Sequence, residues 1–237
     1  MKWALYENAA FAKQGWVATN EPQRLDAEWK SLAAPEAVVI ANVAGHAVGT
    51  YLKFACVRWG LSPTWVKGQV QQCGVSNAYD DPEQLGPDRW AALIGAHVSV
   101  PGNCVVVCMG TATTIDALTD NGVFLGGMIL PGLDMMHSSL ASKTARLGSK
   151  RGEVVPFPRS TPDAITTGAA RATCGAIEHM LGEMQQAGHD DVSVIATGGA
   201  APLLAAVSGF PIVMNDTLVL QGLVRIGEET MTRRGSS

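Results

Sequence analysis

Between residues 104 and 130 three apolar segments follow one another with almost nothing between them: CVVVCM at 104–109, TTIDALT at 113–119 and VFLGGMIL at 123–130. The second link contains Asn121-Gly122, and Asn-Gly between two apolar runs is the strongest short hairpin signal a sequence carries. Three strands joined by such turns become antiparallel neighbours in one sheet. Downstream the pattern changes to helical segments at 133–147 and 161–186, a strand at 192–196, a helix at 200–207, a strand at 211–214 and a closing helix from 217. A meander continued by helix and strand in alternation predicts an α/β fold, a mixed sheet flanked by helices.

The first part of the chain reads as a smaller unit of the same kind. AVVIANV at 37–43 is β-branched and strand-like, the spacing at 45–59 is helical, and 62–67 is the next strand, which predicts parallel pairing around a crossover helix. Helical spacing returns at 83–97 and stops at Pro101-Gly102-Asn103. A domain junction is placed there, giving units 1–102 and 103–237, a comfortable division of 237 residues. Only one strand's worth of residues, Met1 to Tyr6, precedes Glu7-Asn8.

Composition excludes several functions. A net charge of −4 and a pI near 5.7 leave no basic footprint for nucleic acid. Apolar runs are short and broken by Gly, Pro or His, and the N-terminus lacks a basic segment followed by an apolar block, so a cytoplasmic protein without a membrane span is expected. The five cysteines contain no C-x-x-C pair and the five histidines no H-E-x-x-H, which argues against zinc and against a disulfide framework.

Several short motifs can carry chemistry. Gly110-Thr111-Ala112-Thr113-Thr114 can aim backbone N–H groups and hydroxyls at a phosphate, though β-branched threonines equally suit an ordinary strand edge. In Thr197-Gly198-Gly199 the glycines either let backbone approach a phosphorylated ligand or simply make a tight strand-to-helix turn. Neither a Walker loop nor a G-x-G-x-x-G is present. Gly86-Pro87-Asp88-Arg89 sets a carboxylate beside a guanidinium, and is also a common helix start. Thr161-Pro162-Asp163 reads first as a helix N-cap with Pro at N1.

In order along the chain, LGPDRW (85–90), GTATTID (110–116), GGMILPG (126–132), TARL (144–147), TPDAITTG (161–168), ATGGAA (196–201) and LVLQGL (218–223) resemble the type III pantothenate kinases, of the actin and sugar-kinase superfamily. The resemblance implies two actin-like, ribonuclease H-like domains and phosphorylation of pantothenate by ATP with Mg²⁺, the first step of coenzyme A synthesis. By match to the family's motifs, Asp88 is the proton acceptor. Tyr79, Gly86, Pro87, Asp88, Arg89 and Thr161 are expected to face pantothenate, with Arg89 suited to its carboxylate. Lys2, Gly110, Thr111, Thr113, Gly198 and Gly199 are expected around ATP.

The family is also similar in being homodimeric. Its opening strand and turn, D-x-G-N-[ST]-x-x-K, is matched here only in its last residue, Lys2, so the first strand is expected to be missing. A carboxylate that usually binds K⁺ or NH₄⁺ is replaced by Cys108, and a thiol is a poor ligand for a hard cation. The alternative reading is a catalytically silent homologue that binds nucleotide or pantothenate as an accessory transcriptional regulator. A sugar or acetate kinase fits the GPDR and TPDAI segments less well.

Overall fold

Two strands, not one, begin the chain. In this computed structural model, which describes residues 1–143 and 150–235, β1 (Lys2–Glu7) and β2 (Ala10–Trp16) form an antiparallel hairpin running from Lys2 opposite Trp16 to Glu7 opposite Ala10. Its turn holds Asn8 and Ala9 at φ of 52° and 59°. Both central residues of a type I′ turn need positive φ, and Asn-Gly is the usual signal. Ala9 in the second position hides the hairpin from a sequence reading.

The hairpin is followed by α1 (Leu25–Trp29), β3 (Val39–Ile40), α2 (His46–Val57) and β4 (Thr64–Trp65). β3 and β4 pair in parallel, as the strand, helix, strand pattern predicts, although each is only two residues long. Val17, Leu25, Trp29, Leu52 and Ala55 form the core of this part, with Trp3 edge-on to Trp29 at 6.3 Å between ring centres.

Next come β5 (Gln71–Gln72), β6 (Val75–Asn77), α3 (Pro87–Ser99), β7 (Cys104–Met109), β8 (Ala112–Leu118), β9 (Val123–Pro131), α4 (Leu133–Lys143), α5 (Thr161–Gln186), β10 (Ser193–Thr197), α6 (Ala201–Val207), β11 (Val213–Met214) and α7 (Leu218–Gly235). The TARL segment and the predicted end of the helix at 147 fall outside the described residues. Seven strands form one sheet in the order β11-β10-β7-β8-β9-β6-β5. The meander β7-β8-β9 is antiparallel, while β10 joins β7, β11 joins β10 and β6 joins β9 in parallel. Residues on both sides of the 102/103 boundary thus build this sheet.

β7 shows why its sequence is apolar throughout. Cys104, Val106 and Cys108 face Trp90, Leu93, Ile94, Leu218 and Ile226 of α3 and α7, while Val105, Val107 and Met109 face Cys174, Ile177 and Leu204 of α5 and α6. A strand covered on both faces needs apolar residues at every position. α3 and α7 cross with their backbones almost touching: a Cβ added to Gly222 would overlap the Ala91 carbonyl, and one on Gly95 the Leu218 carbonyl.

The N-cap of α5 is Ser160, with Thr161 already helical and Pro162 in the first turn. Ser160 Oγ accepts from Asp163 N at 3.3 Å and donates to Asp163 Oδ2 at 2.6 Å, which decides the cap one residue earlier than the sequence pattern suggests. Ser160→Ala is expected to cost about 1 kcal/mol, read as a lowered urea midpoint at unchanged slope. No helix among the described residues is long and apolar enough to cross a membrane.

Candidate active site

Parallel pairing of β10 with β7, in which Thr197 lies opposite Cys108, brings the ends of both strands to one edge of the sheet. Gly110-Thr111 leaves β7 there and Gly198-Gly199 leaves β10. Gly198 has φ of 106° and lies flat against the end of β7, where any Cβ would overlap the Met109 backbone. Only glycine satisfies both the left-handed conformation and that approach. Gly110, Thr111 and Gly199 are exposed. In open α/β sheets ligands bind outside such carboxyl ends. Lys2 reaches the same edge, donating from Nζ to the Asp216 carbonyl at 3.3 Å just beyond β11. Thr113 is different: it points inward between Met109 and Leu130, fully buried, with its hydroxyl unpartnered.

The other half of the site starts α3. Gly86 is the N-cap, Pro87 sets the first helical φ, and the Asp88 carboxylate accepts from Arg89 N at 2.9 Å. Asp88 is partly exposed and makes no ion pair among the described residues. Arg89 turns the opposite way and is only 4% exposed. Its Nε lies 3.2 Å from each Asp116 oxygen, Nη2 also bonds Asp116 Oδ1, and Nη1 donates to the Tyr79 hydroxyl at 3.0 Å. The guanidinium lies 5.7 Å from the Tyr79 ring centre and 5.8 Å from that of Phe124. The expectation that Arg89 grips a substrate carboxylate therefore meets a side chain already committed to an internal partner.

Asp116 sits in the middle of β8 with no exposure. Opposite it on β9 is Gly127, where a Cβ would overlap Asp116 Oδ1 and come within 2.8 Å of Arg89 Nη2, so the second glycine of GGMILPG makes room for the ion pair. Burial pushes the Asp116 carboxyl upward against the pull of the guanidinium; burial works against the Arg89 charge, but its bonds to Asp116 outweigh it. Cys108 lies across from Thr114 on the same face of the sheet. Burial first, then the charges of Asp116 and Asp88, push its thiol up to about 12, so it stays neutral at physiological pH. A neutral thiol does not suit a hard monovalent cation.

Of the residues expected to contact pantothenate, Tyr79, Gly86, Pro87, Asp88 and Arg89 converge here, whereas Thr161 starts α5 on the opposite face of the sheet. Asp116 and Gly127 lie within the GTATTID and GGMILPG motifs, but neither they nor Phe124 are assigned a place in the site from the sequence. One signal for Asp116 was available: an aspartate inside an apolar strand buried on both faces must have a partner.

A seven-stranded mixed sheet with helices on both faces and two glycine turns at one edge defines the ATPase fold shared by actin and the sugar kinases. Among solved structures, a Campylobacter jejuni protein assigned to the Baf family of transcriptional activators superposes with a TM-score of 0.59 at 22% identity, over 88% of this chain and 89% of that one. The activator of 2-hydroxyisocaproyl-CoA dehydratase from Clostridium difficile, with bound ADPNP, has a TM-score of 0.53 at 11% identity, over 99% and 93%. At these identities the likeness concerns the fold alone. The sequence is more specific: it is 41% identical over 230 residues to the type III pantothenate kinase of Nitrosospira multiformis, covering 97% of this chain and 88% of that protein. The profile of the type III pantothenate kinases matches residues 1–183. The chain belongs to the type III pantothenate kinase family. It is accordingly a kinase, a class that uses ATP with a divalent metal, and the silent-regulator alternative is not favoured.

Proposed function

We propose that the chain transfers the γ-phosphoryl group of Mg·ATP to the terminal hydroxyl of pantothenate, giving 4′-phosphopantothenate. The observation that carries this reading is the geometry of Asp88: a carboxylate at the open start of α3, without an ion pair among the described residues, one residue from a cation that is turned away. Phosphoryl transfer is governed by positioning and charge stabilisation, so few groups are needed. Asp88 orients the acceptor hydroxyl and takes its proton as the oxygen attacks phosphorus. Gly110, Thr111, Gly198 and Gly199 approach the phosphates with backbone N–H groups and the Thr111 hydroxyl, while Lys2 adds charge from the side and Thr113 supports the turn from within. Gly86, Pro87 and Tyr79 shape the pantothenate side. Mg²⁺ belongs to the nucleotide substrate, and the working form is a cytoplasmic homodimer.

A coupled assay of ADP formation with Mg·ATP tests the reading. ADP release that depends on pantothenate and is absent with sugars or acetate supports it. Nucleotide binding without pantothenate-dependent turnover would leave the silent regulator standing. Because Cys108 stands where a cation ligand is expected, replacing Na⁺ by K⁺ or NH₄⁺ at fixed ionic strength should change turnover by less than about twofold. Activation by an order of magnitude would show that other oxygens bind the ion.

A further inference from the structure

We propose that Asp116 is a positioning residue for the phosphoryl transfer: through its ion pair with Arg89 it sets where the Asp88 carboxylate stands. This rests on the reading of Asp88 as proton acceptor. A buried ion pair is a poor device for stability, because taking two charges out of water offsets most of their attraction. Its cost calls for another use, and its location supplies one. Arg89 directly follows Asp88, and its own backbone N–H donates to the Asp88 carboxylate at 2.9 Å. Anything that fixes the Arg89 backbone therefore fixes the Asp88 rotamer.

Gly86 supplies no capping side chain and Pro87 no N–H, so the first turn of α3 depends on what its side chains grip: Trp90, fully buried, donates from Nε1 to Gln72 Oε1 at 2.9 Å, and Arg89 is the anchor directly beside Asp88. Arg89 grips two partners with three donors: Nε and Nη2 on Asp116 in the centre of the sheet and Nη1 on the Tyr79 hydroxyl. The rings of Tyr79 and Phe124 border the guanidinium, and Gly127 leaves it space. A planar fork held this way has one orientation, which a lysine could not reproduce. The same geometry keeps Arg89 away from solvent, so the carboxylate of pantothenate is not its partner.

The test pairs Arg89→Met/Asp116→Leu, which replaces the ion pair by apolar groups of similar volume, with Asp88→Asn as reference. Each variant is assayed on pantothenate and on pantothenol, the analogue in which an alcohol replaces the carboxylate, with rates normalised to folded protein by nucleotide-binding stoichiometry. The double variant is expected to fold, to keep its KM for ATP within about twofold, and to lose about 100-fold in kcat equally on both substrates, the scale expected for a catalytic group displaced by about 1 Å. A folded double variant with kcat within about threefold of the parent overturns the proposal. Loss on pantothenate with pantothenol spared also overturns it, by giving Arg89 to the substrate carboxylate. Failure of the double variant to fold overturns it too, since the pair would then serve stability. If Asp88→Asn retains turnover, the reading of Asp88 fails by itself, whatever the double variant does.

Discussion

Asp88→Asn is expected to fold like the parent and to lose about 10²- to 10⁴-fold in turnover, the range a positioned general base contributes. The amide keeps the shape of the carboxylate, and its oxygen can still accept the Arg89 N–H. Asparagine is also tolerated in the first turn of a helix, so the thermal melt should move little. What disappears is the ability to take a proton from the acceptor hydroxyl. The coupled ADP assay should show the loss in kcat with the KM for ATP almost unchanged, because the glycine turns proposed to meet ATP lie at the ends of β7 and β10 and not on α3. Near-parental turnover would remove Asp88 from the chemistry.

Gly222→Ala is the second large effect, and it acts on stability. In an exposed helix Gly→Ala stabilises by about 1 kcal/mol through helix propensity. At Gly222 the added methyl meets the backbone of Ala91 on α3, which cannot rotate away as a side chain could. The helices must separate, and overpacking of this kind costs about 1–3 kcal/mol, occasionally more. The expected net result is a loss on the order of 2 kcal/mol in a urea melt. Turnover should fall as well, because α3 carries Asp88 on its first turn. Gly95→Ala crowds the same crossing from the other side, against Leu218. Combining the two should cost less than the sum, since helices already pushed apart accommodate the second methyl. A gain of stability in Gly222→Ala would mean that the crossing is looser than described.

The elements legible in the sequence were those whose signal is local. The meander at 104–130 appears where its apolar runs and Asn-Gly turn indicated, and the 26-residue helix α5 spans the predicted residues. β2 escaped notice because Ala9, not glycine, takes the positive φ of its turn. β5 and β6 are two and three residues long, too short to show a period, and only their pairing to β9 through β6 makes them strands. The site divides the same way. GTAT, TGG and GPDR are contiguous runs whose backbone demands are written in their glycines and proline. Arg89, by contrast, was read as facing a substrate, because its side chain has no local reason to turn inward.

The sequence by itself determined the class of fold, the family and the residues at the two turns and the start of α3. The fold class follows from spacing and residue type over a few consecutive positions, and the family from the resemblance of seven short motifs in order along the chain. Only the tertiary structure decided that Arg89 reaches Asp116, 27 positions away, that Gly127 opens the space for them, and that α3 and α7 meet at Gly95 and Gly222. Such contacts are set by how a helix lands on a sheet and on its neighbour, and that depends on the packing of every side chain between them.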